Sequence, residues 1–296
     1  MTSAPTAAPS GGRTASAEIT AAAIASFDAC SDPRLKQIMQ SLVKHLHAFA
    51  SEVRLSESEW ERAIQILTAT GHITDDKRQE FILWSDTLGL SMLVDALASE
   101  RPAGAMESTV LGPFWTPDAP KRAYGESMVE QSGGMPAFVY GRVLDTDGKP
   151  IEGAELDVWQ NGANGLYSVQ EPEGPEDHLR GRYYSDADGR YAFVGVRPVP
   201  YTVPADGPVG KMLQITGRHP WRPAHIHMIV TAPGYQRLPT HIFDSESEYL
   251  DSDAVFAFKP SLVREFVPRA ADDPERPASI SGEWYSVHND IVLGRA

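Results

Sequence analysis

Hydrophobic positions in the first third of the chain recur at helical spacing. Pro33, Leu35, Ile38, Leu42, Leu46 and Phe49 fall three and four residues apart and make one apolar stripe. Ser31 and Asp32, just ahead of Pro33, supply a cap and a first-turn proline. Ser56 and Glu59 form a capping box for a second helix, with Trp60, Ile64 and Leu67 as its apolar face and Gly71 as its stop. Asp75 to Ser99 reads as a third helical stretch carrying Phe81, Leu83, Leu88, Leu90, Leu93, Val94 and Leu97, with Gly89 as a break or a close contact. Residues 17–105 are therefore expected to be a helical domain. Residues 1–16 are almost wholly Ala, Pro, Ser, Thr and Gly. They bury too little surface to offset ordering entropy and are expected to form a disordered tail.

Beyond Arg101 the period changes from helical to alternating. Twenty of the 23 prolines lie past residue 100. Alternating runs cover residues 137–144, 154–159, 190–196 and 225–230, and Asp147-Gly148 and Asp188-Gly189 stand between such runs as hairpin turns. Short strands with frequent turns predict a β-sandwich over residues 106–296. The expected fold is mainly β with an α-helical N-terminal part. Trp60, Trp84 and Trp159 read as core anchors.

Composition narrows the partners. The 296 residues carry 26 Lys plus Arg against 40 Asp plus Glu, a formal net charge of −14, which argues against nucleic acid or an anionic membrane surface. The single cysteine, Cys30, excludes an intrachain disulfide and any four-cysteine metal site. It fits a reducing cytoplasm. The first residues lack a basic start followed by an apolar stretch, and no apolar run approaches the ~20 residues of a membrane span. The expectation is a cytoplasmic protein without membrane insertion.

The chemistry centres on His225-Ile226-His227. Residues i and i+2 of a strand share a face, about 6–7 Å apart, so the two imidazoles can converge on one metal ion; Zn, Cu, Fe and Ni all suit such ligands. Two histidines on a polar strand face are the plainer alternative. No acid follows until Asp244, which disfavours a two-histidine, one-carboxylate site. The β part is rich in tyrosine, and Tyr167 and Tyr201 lie in loop-like segments before the histidine strand. A strong Lewis acid can hold a phenol as phenolate, and such a hard anionic oxygen favours Fe(III). Loop tyrosines more often pack than ligate, so composition alone does not single these two out.

The set Gly165-Leu166-Tyr167, Pro200-Tyr201 and Gly217-Arg-His-Pro-Trp-Arg222-Pro-Ala-His225-Ile-His227 resembles the intradiol ring-cleaving dioxygenases of the catechol 1,2-dioxygenase group. The segments 141–154 and 157–161 are similar to that family's sandwich core. Asp76 to Phe81 and Glu107 to Phe114 resemble its dimerisation and lid region. The resemblance implies one Fe(III) per chain held by Tyr167, Tyr201, His225 and His227. It implies that Tyr201 takes a substrate proton and that Arg222 steadies charge on the ring. Asp86, His241 and the run Tyr249 to Phe256 resemble the members that act on hydroxyquinol (1,2,4-trihydroxybenzene), giving 3-hydroxy-cis,cis-muconate and then maleylacetate. Leu83, Asp86, Val110, Leu111, Gly112, Pro113 and His241 are the expected substrate contacts. The resemblance further implies a homodimer through the helical region and a bound phospholipid there.

Three rivals remain. Residues 141–160 also resemble transthyretin-like binding modules, which have no need of paired tyrosines with His-x-His. A zinc hydrolase on His225 and His227 lacks an obvious third ligand and a nearby carboxylate base. Within the enzyme class, catechol or chlorocatechol is the alternative substrate.

Overall fold

The computed structural model of the chain describes residues 11–75, 78–98, 101–131 and 133–296. The chain divides into two compact units, Met1–Thr68 and Ala69–Ala296.

In the first unit, α1 (Gly11–Ala25) leads to α2 (Pro33–Glu52) and to most of α3 (Glu57–Ile73). α1 begins inside the segment expected to be a tail. Its run of alanines supplies helix propensity that outweighs the missing large side chains. Residues 1–10 lie outside the described residues. The caps read from the sequence are present. Asp32 accepts from the amides of Arg34 and Leu35 at the start of α2, and Ser56 and Glu59 exchange side chain-to-amide hydrogen bonds at the start of α3. The apolar stripe of α2 is left uncovered: Leu35, Ile38, Leu42, Leu46 and Phe49 are all about half exposed. Trp60, expected in the core, is 55% exposed on α3.

The second unit starts with helices. The single stretch expected over 75–99 is two helices, α4 (Glu80–Thr87) and α5 (Leu90–Ala98), parted at Gly89, whose φ of +76° a residue with a side chain rarely adopts. They group with the β part, so the first unit ends after Thr68, well before the expected boundary at 105. α5 meets the segment ahead of the sandwich through Ser108 on Asp95 and Thr109 on Met92, and α6 (Pro208–Ile215) packs on α4. Buried Glu80 fixes that contact. Its Oε1 accepts from the amide of Val209 at the start of α6, and its Oε2 pairs with Arg78, which also holds Asp206. Among the described residues no single helix is long and apolar enough to cross a membrane.

Two five-stranded sheets follow. One contains β1 (Pro136–Asp145), β4 (Arg190–Val196), β10 (Val267–Arg269), β11 (Trp284–His288) and β12 (Ile291–Leu293). Here β1 pairs parallel with β11 and β12 and antiparallel with β4. The other runs β3 (Arg180–Tyr184), β2 (Glu155–Gln160), β7 (His225–Thr231), β8 (Leu238–Asp244) and β9 (Val263–Arg264). β5 (Tyr201–Thr202) and β6 (Trp221–Arg222) form a separate short ribbon. The inner faces meet in one apolar core: Val139, Phe193 and Val287 from the first sheet, and Val158, Ile226, Met228 and Ile242 from the second. This is the expected sandwich. The turns Asp147-Gly148 and Asp188-Gly189, expected to close hairpins, instead carry the chain from one sheet to the other, from β1 to β2 and from β3 to β4, with both glycines at positive φ.

Gly141 lies where β1 passes the connection between β11 and β12, and a Cβ there would overlap the backbone carbonyl of Asn289. Gly141→Ala is expected to lower stability by ~1–3 kcal/mol or more through overpacking. A urea-unfolding midpoint unchanged from wild type would contradict this tight approach.

Candidate active site

The site grows from the register of the second sheet. On β7, Ile226 and Met228 point into the sandwich core, so His225 and His227 point to the opposite face. Loops cover that face, and both histidines are 1% exposed. Across the ladder His227 sits opposite Trp159 of β2 and His241 of β8. Trp159 stacks on His227 at 4.8 Å with the rings 10° apart. The loop after β2 carries Tyr167, 2% exposed, and Phe114 stacks on it at 4.5 Å.

Three donor atoms converge. His225 Nε2 lies 3.0 Å from His227 Nε2, which lies 3.1 Å from Tyr167 Oη. His225 Nδ1 is 2.6 Å from the Pro223 carbonyl. A carbonyl can only accept, so Nδ1 carries the proton and Nε2 presents a bare lone pair to the cluster. Tyr201 brings its ring beside them, edge-on to Tyr167 with centroids 5.3 Å apart.

These residues fit a metal ion. Ligand atoms ~2.0–2.1 Å from a common ion at right angles lie ~3 Å apart, the spacing found here. The electrostatics agree. Burial first, then the Arg222 cation, holds His225 well below the usual imidazole range; burial, His225 and Arg222 do the same to His227. Both are neutral and ready to ligate. Burial and then Tyr201 raise the Tyr167 phenol well above its ordinary range, so its ionisation needs a cation beside it.

Arg222 approaches from β6, where it pairs across the ribbon with Tyr201. It is 2% exposed, and its NH1 donates to Tyr201 Oη at 3.0 Å. Nε donates to Asp253 Oδ1 at 3.1 Å. Burial disfavours the guanidinium charge, but Asp253 and the two tyrosines outweigh that and hold it protonated.

A narrow pocket opens beside Tyr201 and Arg222. Leu83 and Asp86 of α4 and Val110, Gly112 and Pro113 of the covering loop line it; Phe114, Val203, Pro204 and Val255 complete it. Leu111 packs instead among Trp159, Tyr167 and Tyr201. His241 lies behind the metal-facing histidines, 1% exposed, stacked on His225 at 4.6 Å and edge-on to His227 at 4.2 Å. Burial and then its two histidine neighbours push its pKa well down. His225, His227 and His241 together have the spacing of a metal-binding trio, so the third ligand missing from the zinc reading is present in space. Asp253 and Phe114 escaped the sequence reading, although both fall in segments whose resemblance was legible. Val203 and Pro204 lie just past Tyr201 and carried no chemical signal.

Sandwich and site together define a β-sandwich protein whose buried histidine and tyrosine donors have metal-ligand spacing. Models described as "Dioxygenase" and "Catechol dioxygenase N terminus" match residues 110–293 and 32–106. The chain is 49% identical over 273 residues to a hydroxyquinol 1,2-dioxygenase of Rhodococcus opacus, covering 91% of each protein. It is 50% identical over 249 residues to a 6-chlorohydroxyquinol 1,2-dioxygenase of Cupriavidus pinatubonensis, covering 84% of this chain and 90% of that one. The solved structure of hydroxyquinol 1,2-dioxygenase from Pseudomonas putida DLL-E4 matches with a TM-score of 0.90 at 50% identity, over 96% of this chain and 100% of that one. The chain therefore belongs to the intradiol ring-cleavage dioxygenase family, whose members generally depend on non-haem iron.

Gly112 has a φ of +75°, and a Cβ on it would stand 3.1 Å from His227 Cε1. Gly112→Ala is expected to displace that ring and reduce bound iron per chain, with the circular dichroism spectrum unchanged. Wild-type iron content in this variant would contradict the close packing of loop on ligand.

Proposed function

We propose that this chain cleaves hydroxyquinol with O2 between its two adjacent hydroxyl-bearing carbons, using one ferric ion per chain held by Tyr167, Tyr201, His225 and His227. The observation that carries the substrate is Asp86, 6% exposed in a largely apolar pocket that also contains Tyr201 and Arg222. Ser91 gives this carboxylate one hydrogen bond, its further lone pairs can accept another, and the third ring hydroxyl of hydroxyquinol supplies it.

The residues divide the work. Leu83, Val110, Pro113, Val203 and Val255 wall the ring and exclude water. Tyr201, as the phenolate a bound cation would hold, would accept a proton from one of the adjacent hydroxyls, and Arg222 steadies the charge left on the resulting monoanion. Asp86 orients the ring by its far hydroxyl. Ferric iron, when bound, supplies the Lewis-acid and electron-accepting chemistry that opens an electron-rich diolate to O2. Both oxygen atoms enter the product, 3-hydroxy-cis,cis-muconate, which tautomerises to maleylacetate. The uncovered stripe of α2 supports a homodimer, and a phospholipid is proposed against the exposed helical apolar faces in a cytoplasmic enzyme. A monomer by light scattering, or an organic extract without lipid by mass spectrometry, would remove those two assignments.

The purified protein is expected to be red-brown from tyrosinate bound to Fe(III), with a band that shifts on anaerobic hydroxyquinol more readily than on catechol. A colourless protein that takes up no iron would sink the dioxygenase reading and favour a binding module; a shift with catechols alone would keep the reaction and change the substrate.

Asp86→Leu should cost ~10–100-fold in kcat/KM for hydroxyquinol, the worth of a buried hydrogen bond to a charged group, and leave catechol turnover nearly unchanged. Burial raises the Asp86 pKa, against a hydrogen bond from Ser91 and the charge of Arg222. A raised acid pKa moves loss of the carboxylate to higher pH than in an exposed aspartate. The hydroxyquinol-to-catechol preference should therefore decline as pH is lowered, starting from a higher pH than for an exposed aspartate, and be flat with pH in Asp86→Leu. Parallel profiles in both proteins would show that Asp86 does not set it.

A further inference from the structure

Arg222 spends its hydrogen bonds unevenly. Nε and NH2 turn to the two oxygens of Asp253, at 3.1 and 3.4 Å, while NH1 alone reaches Tyr201 Oη. The Asp253 side chain is 1% exposed and that of Arg222 is 3%. Asp253 is itself held: Oδ1 accepts from the amide of Val255 and Oδ2 from that of Ala257, at 3.2 and 3.1 Å. The next residue, Ala254, donates its amide to the Trp221 carbonyl, so the loop is tied to β6 beside the ion pair as well as through it. Val255, two residues along, lines the substrate pocket.

We propose that Asp253 is a positioning residue for the reaction: its clamped carboxylate fixes the guanidinium plane of Arg222, so that NH1 stays on Tyr201 and the remaining N–H groups face the substrate. A guanidinium matches a carboxylate in a two-point, planar fashion that a single contact does not give. Without Asp253 the arginine side chain is free to rotate, and the Tyr201 contact is one of several available. The proposal rests on the reading of Arg222 as the cation that meets the diolate. It gives the 253–257 loop two coupled tasks, aiming that cation and presenting Val255 to the ring.

The test uses the iron-loaded enzyme with Asp253→Asn, Asp253→Glu, Arg222→Gln and the double variant Asp253→Asn/Arg222→Gln. In Asp253→Asn, bound iron should equal wild type. The visible tyrosinate band should move to longer wavelength, because the Tyr201 phenolate loses its hydrogen bond. kcat should fall about 100-fold, the scale of a misplaced catalytic group, with KM changed far less. Asp253→Asn should add nothing in the Arg222→Gln background, since the aspartate acts only through the arginine. Asp253→Glu keeps the charge but shifts it, and should move the band and lower kcat less than the Asn change; it also carries the test if the Asn variant does not fold. Band and kcat at wild-type values in whichever aspartate variant folds, with Arg222→Gln impaired, would overturn the positioning role and leave the reading of Arg222 intact. Wild-type kcat in Arg222→Gln would overturn both.

Discussion

Burying four donor atoms with too few protons among them to satisfy every lone pair is the constraint that the rest of this structure answers to. Two imidazole nitrogens and two phenol oxygens are gathered where water does not reach, and each loses its hydration on the way. Their mutual hydrogen bonds compensate only in part, because His225 Nδ1 is already committed to the Pro223 carbonyl. A cation relieves all four at once. The surrounding arrangement follows: a tautomer set by a backbone carbonyl, Trp159 flat against one imidazole, Phe114 flat against one phenol, and a fixed guanidinium on the other.

The sandwich contributes precision through register. Its alternation sends Ile226 and Met228 inward and His225 and His227 outward, so the same strand that closes the core builds the site. A slip of one residue would exchange the two sets and lose core and site together. The β5–β6 ribbon does the same on a smaller scale by placing Arg222 directly across from Tyr201. The pocket wall comes from elsewhere, from α4 and from loops, where variation leaves the metal-facing register untouched.

Much of this was legible in the sequence because it is written in local periods. The capping residues Asp32, Ser56 and Glu59, the stripe of α2, the four alternating runs and the His-x-His pair all act within a few residues. What stayed hidden was tertiary. Nothing near Asp253 in sequence announces Arg222 as its partner, 31 residues away. His241 faces His227 only because β8 pairs with β7 in one register. Trp60 looked like a core anchor because its helix is amphipathic, but its apolar face is exposed in the chain taken alone. Residues 11–16 differ for another reason: they lack large side chains, yet the alanine-rich run that follows forms α1 on backbone propensity.

The charges of the pocket explain how one site can hold a ring by its hydroxyls and still discriminate among rings. Arg222 stands between two carboxylates, Asp253 bonded to it and Asp86 across the pocket. Asp253 neutralises most of the cation's charge without taking all its hydrogens, so Arg222 remains a directional donor rather than a general anion trap. Asp86 is farther off and lacks a bidentate partner, and burial raises its pKa. A diol without a third hydroxyl leaves that carboxylate buried and without the ring donor it is placed to accept from, a penalty the apolar walls do nothing to offset. Selectivity in such a pocket comes from the unsatisfied group the wrong ring leaves behind, while the four-donor centre and Arg222 act on every diol alike.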